Sequence, residues 1–73
     1  MMSEQPVFEV FARVKETDPL QHLGCIHAVN NELAISQSRM TYSEKAWSEM
    51  IIVSRENIIP VIKSRGGSIV GFA

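Results

Sequence analysis

A chain of 73 residues is one small domain, and such a domain buries only roughly 60% of the surface its unfolded form exposes. Its single cysteine, Cys25, excludes an internal disulfide staple, so a reduced, cytoplasmic protein that gains stability by association of subunits is expected. Seven basic and eight acidic residues give a net charge of −1 with no basic patch, which argues against nucleic acid as a partner. No apolar run approaches the roughly 18 residues of a membrane helix, and the polar Met-Met-Ser-Glu-Gln-Pro start does not read as a signal peptide. No membrane partner is therefore expected.

The first predicted element is a strand from Val7 to Lys15. Phe8, Val10, Ala12 and Val14 share one face, while Val7, Glu9, Phe11, Arg13 and Lys15 share the other. Turn residues centred on Pro19 then break the pattern. A second strand, about His22 to Val29, places Gly24, Ile26 and Ala28 on one face and Leu23, Cys25, His27 and Val29 on the other. The polar connection between the two reads as an antiparallel hairpin with a loop longer than the tight two-residue form.

Asn30 suits a helix N-cap, and Glu32 suits the positive end of the helix that follows. From Asn31 to about Lys45, residues Ala34, Ile35, Ser38, Thr41 and Tyr42 form one stripe at helical spacing. Most of them are small, which lets the helix approach a sheet whose floor at Gly24 and Ala28 is also low. Leu33 and Met40 fall on the opposite side as a contact ridge. Trp47 to Val53 is the third strand, and its continuous Met50-Ile51-Ile52-Val53 run predicts cover on both faces. Ser54 is placed to cap a brief helical turn through Ile59, which Pro60 ends.

The expected fold is a small α+β domain of β-β-α-β order, with a mainly antiparallel three-stranded sheet in order 2-1-3. One helix lies on one face. The other face, with Val7, Phe11 and part of the third strand, calls for a second copy or another subunit as its cover. Residues 1–62 form the domain, with a flexible start over 1–6, and 63–73 form a flexible glycine-rich tail.

Chemistry-bearing clusters are sparse. His22, Cys25 and His27 lie within six residues, but strand alternation puts His22 opposite the other two, and two ligands do not make a structural zinc site. Cys25 and His27, two apart on a strand, lie roughly 7 Å from one another, too far for a thiol–imidazole pair without a bend. No glutamate has a histidine three residues on, as a di-iron helical bundle requires, and no glycine-rich nucleotide loop occurs. Trp47 and Tyr42 read as core or interface aromatics. No catalytic, cofactor-binding or metal-binding residue is assigned.

One resemblance spans roughly residues 7 to 62. Phe8-Glu9-Val10-Phe11-Ala12-Arg13 is followed by His22 and the Gly24-Cys25-Ile26-His27-Ala28 stretch, and then by a helix with Ala34, Arg39 and Tyr42. In order and spacing these resemble the small B subunit family of the multicomponent phenylacetyl-CoA epoxidase (ring 1,2-epoxidase) of aerobic phenylacetate degradation. In that family the position of Cys25 is commonly a serine, and the chains usually continue into a tail with basic, aromatic and proline residues where this one has Gly71-Phe72-Ala73.

The resemblance implies a non-catalytic, cytoplasmic bridging subunit that carries no cofactor. Its implied partners are the catalytic di-iron oxygenase subunit, the structural partner of that subunit, and further copies of this chain. Candidate contact residues are Val7 and Phe11 on the uncovered sheet face, Leu33 and Met40 on the helix ridge, and Trp47. The rival reading is a small dimeric α/β enzyme or ligand binder with a pocket at its dimer interface. An RNA-binding sheet module ranks last, because no strand face pairs exposed aromatics with basic residues.

Overall fold

The computed structural model describes residues 5–62, and the tail expected at 63–73 lies outside the described residues. Strands β1 (Val7–Arg13) and β2 (Gln21–His27), helix α1 (Asn31–Thr41) and strand β3 (Glu49–Ser54) follow in that order. A 3₁₀ turn over Arg55–Asn57 follows β3. The sheet runs β2-β1-β3, with β1 central and antiparallel to both neighbours. That is the α+β fold and strand order expected from the sequence.

Alternation along β1 builds the core. Phe8, Val10 and Ala12 point at the helix and are buried, together with Ile26 and Ala28 from β2 and its end. Ala34 and Ser38 form the seam of α1, and their small side chains let the helix settle directly onto β1 and β2. Closeness leaves the Ser38 hydroxyl buried without a hydrogen-bond partner among the described residues. Asn30 caps α1 as expected, its side-chain oxygen accepting from the Leu33 N–H at 2.8 Å.

Element ends differ from the sequence reading for local reasons. β1 stops at Arg13 because a turn closes from Asp18 N–H to Lys15 C=O at 3.0 Å, which leaves Val14 exposed. β2 ends at His27, one residue before Ala28 N–H makes the last bond to Pro6 C=O. Helix α1 ends at Thr41, not Lys45. Tyr42 leaves helical geometry while its N–H still bonds Ser38 C=O, and its own carbonyl accepts from the Trp47 indole at 2.6 Å. That bond holds Trp47 in the loop, so β3 begins at Glu49. Ser54 makes no side-chain cap, and the turn after it closes by Ile58 N–H to Arg55 C=O alone.

Among the described residues, nothing supplies the cover expected on both faces of β3. Helix α1 lies over β1 and β2, and Ile51 remains exposed on the far face. Between α1 and β3 runs an open groove of about 240 Å³ lined by Ile35, Ser38, Arg39, Met50 and Ile52.

Candidate functional site

The sheet face away from α1 holds the densest polar constellation among the described residues. The β1–β2 register runs Phe8↔Ile26, Glu9↔Cys25 and Val10↔Gly24, then jumps to Phe11↔His22. Leu23 is therefore the extra residue of a β-bulge. Directly opposed residues share a face, so the bulge turns His22 onto the open side with Phe11, Glu9 and Cys25. Leu23 packs against the core cluster instead. Strict alternation predicted the reverse for both residues, because it assumes an uninterrupted period of two.

Gly24 adjoins the bulge with a φ of 157°, a conformation that suits glycine. The absence of a side chain there matters a second time. The Tyr42 phenol lies over Gly24 in the space a Cβ would occupy. Burial, with the charges of Cys25, Glu44 and Glu9 adding to it, raises the Tyr42 pKa above its ordinary value of 10.0.

At the centre of the open face Glu9 is only 1% exposed, an unusual burial for a charged residue on a sheet face with no layer above it among the described residues. Its cover consists of its own partners. His22 Nε2 lies 2.7 Å from Glu9 Oε1, and the Arg55 Nε and Nη2 groups both donate to Oε2 at 2.6 Å. The hydrogen bond to Glu9 is also the main cause of a raised Arg55 pKa. Phe11 flanks the group, its ring centroid 5.1 Å from that of His22. At the end of the sheet, Arg13 pairs with Glu49 at 2.5 Å and donates to the Asp18 carbonyl at 3.1 Å.

The sequence offers a faint signal for this cluster. Glu9 stands within an apolar strand, but its partners lie 13 and 46 residues away. Only the bulge and the turn after β3 bring them over it.

The arrangement is suited to holding elements together. Arg55 ties the turn after β3 to the central strand, and His22 ties the edge strand β2 to the same carboxylate. Cys25 and His27 stand exposed on this face, two positions apart on β2. Among the described residues no group of three or more His, Cys, Asp or Glu is gathered closely enough to hold a metal ion.

The five expected contact residues divide between two surfaces. Val7 and Phe11 lie half-buried on the open sheet face, on either side of Glu9. Leu33 and Met40 lie on the outer face of α1, with Met40 76% exposed. Trp47, half-buried in the loop before β3, lines an open cleft with Arg39, Tyr42 and Lys45. The Lys45 ammonium stands 5.7 Å from the centre of its ring.

A protein-family model described as phenylacetic acid degradation B (PaaB) matches residues 4–69, nearly the whole chain. The chain belongs to the PaaB family. Membership implies a part in phenylacetate degradation within a multi-subunit system. The matched span includes every element of the fold, the bulge and all three members of the Glu9 cluster. No curated protein matches the chain, and no solved structure does. No helix among the described residues is long and apolar enough to cross a membrane.

Proposed function

We propose that this PaaB family member is a non-catalytic bridging subunit of a multicomponent di-iron epoxidase that acts on the ring of an aryl-CoA thioester in the cytoplasm. It contacts the catalytic di-iron subunit and the structural partner of that subunit, and it works as a homo-oligomer. The observation that carries this reading is the separation of its apolar surfaces. Val7 and Phe11 face one side of the sheet while Leu33 and Met40 face the other, with the core between them. A chain that joins two neighbours needs two such surfaces, whereas an enzyme gathers its side chains into one.

The Glu9 cluster fits the same role. It fixes β2, β1 and the turn after β3 to one another, so the open face is presented as a rigid unit. Rigidity of this kind lowers the ordering cost of association.

The test is a pull-down of the tagged full-length chain from its native host, with metal analysis of the captured proteins. Recovery of an iron-containing partner is expected, as is loss of ring epoxidation when the chain is omitted from the reconstituted complex. Recovery of the chain without iron, together with full epoxidation in its absence, overturns the proposal.

A further inference from the structure

We infer that the outer edge of β3 pairs with β3 of a second copy, antiparallel about a two-fold axis, to make one continuous six-stranded sheet. Ala28 N–H bonds Pro6 C=O, so Pro6 turns its polar groups toward the β2 side of the sheet. In an antiparallel sheet the residues bonded to one neighbour alternate with those bonded to the other. Glu9, Phe11 and Arg13 therefore bond toward β3, and their partners there are Val53, Ile51 and Glu49. The N–H and C=O groups of Met50, Ile52 and Ser54 point outward from the sheet.

The two edges of the sheet are not equivalent. The β2 edge is bent by the bulge at Leu23 and by Gly24, and bulged edges resist pairing. β3, Glu-Met-Ile-Ile-Val-Ser, pairs with β1 in unbroken register and has no proline, glycine or lysine. A regular apolar edge of this kind is a template for another strand.

The outward residues select the register. Centring the two-fold axis on Ile52 places Ile52 opposite Ile52 of the second copy and Met50 opposite Ser54, so every outward residue of β3 has a partner. On the open face the same register sets Ile51 opposite Val53, and it brings the Glu49 end of one strand to the Arg55 end of the other. Each of these charges already has a partner in its own chain, Arg13 for Glu49 and Glu9 for Arg55, so two ion pairs meet end to end. A shift of one step in either direction leaves an outward residue without a strand partner.

Both helices then lie on the same side of the joined sheet. The groove beside each α1, lined by Ile35, Met50 and Ile52, opens toward its twin across the axis, so apolar side chains left half-covered in one chain meet their equivalents. This deepens the oligomeric part of the function proposed above and requires no oxygenase partner.

Ser54→Pro provides the test. Ser54 has φ −61° and ψ 131°, angles that proline adopts without strain, and its N–H faces outward. The purified full-length chain is expected to sediment as a dimer. Ser54→Pro removes one donor from each outer pair, so the dissociation constant should rise at least ~10-fold with an unchanged circular dichroism spectrum. As a second probe, Ile52→Cys in a Cys25→Ser background should form a disulfide-linked dimer on mild oxidation. A monomeric wild-type chain, or a Ser54→Pro dimer of undiminished affinity with no cross-link at position 52, overturns the inference. A wild-type monomer that still captures the iron-containing partner overturns this pairing alone and leaves the bridging role standing.

Discussion

Removing Arg55 should damage this fold more than removing the carboxylate that it holds. In Arg55→Met, Glu9 remains 1% exposed on the sheet face and keeps only His22 of its two partners. Two charge-assisted bonds at 2.6 Å are lost. Stranding a fully buried charge costs about 3–5 kcal/mol. The Arg55 side chain is 41% exposed, so water can reach the vacated space, and the expected cost falls to about 2 kcal/mol. Glu9→Leu instead removes the buried charge, and Arg55 is free to move into solvent. Such replacements are often neutral or stabilising, so a change within about 1 kcal/mol is expected. The double variant should resemble Glu9→Leu, giving a coupling of about 2 kcal/mol across the cycle.

Trp47 is the only tryptophan, and urea unfolding followed by its fluorescence at fixed protein concentration supplies the measurement. For a domain of this size, 2 kcal/mol corresponds to a fall of about 8–16 °C in Tm. If Glu9→Leu proves the more destabilising single change, stranding a buried charge is not what sets the cost of losing Arg55.

Three further outcomes follow from the packing. Gly24→Ala should displace the Tyr42 phenol and strain the backbone at φ 157°, at a cost of about 2 kcal/mol in urea unfolding, with altered Trp47 fluorescence because Tyr42 accepts the indole hydrogen bond. Ser38→Ala deletes a buried hydroxyl that has no partner among the described residues, so it should leave stability unchanged or raise it by about 1 kcal/mol; a clear loss would mean the hydroxyl is bonded. Tyr42, the only tyrosine, should titrate above 10.0 in the native chain and near that value in urea, as followed by phenolate absorbance. A raised folded pKa means that the contribution of Tyr42 to stability is fully present below pH 10.0 and is lost as pH rises through the folded value. Equal midpoints in the two states would refute burial as the cause.

Several features were determined within a few residues of sequence and could be read there. Alternation in β1 marked Phe8, Val10 and Ala12 as core, Asn30 announced the helix start, and Ala34 with Ser38 marked the seam against the sheet. The order of elements was enough to place β1 at the centre. Each signal depends on a period or a cap, and both are local properties of the chain.

Tertiary structure decided what depends on distant partners. The bulge at Leu23 shows only in the pairing of β2 with β1, and it carries His22 to the other face. Glu9 can be buried only because Arg55, 46 residues later, reaches back across the sheet. The indole bond from Trp47 to Tyr42 likewise set where the helix gave way and the third strand began. Periodicity assigns a residue to a face, but whether that face is wet, paired or buried depends on which other segments the fold brings against it.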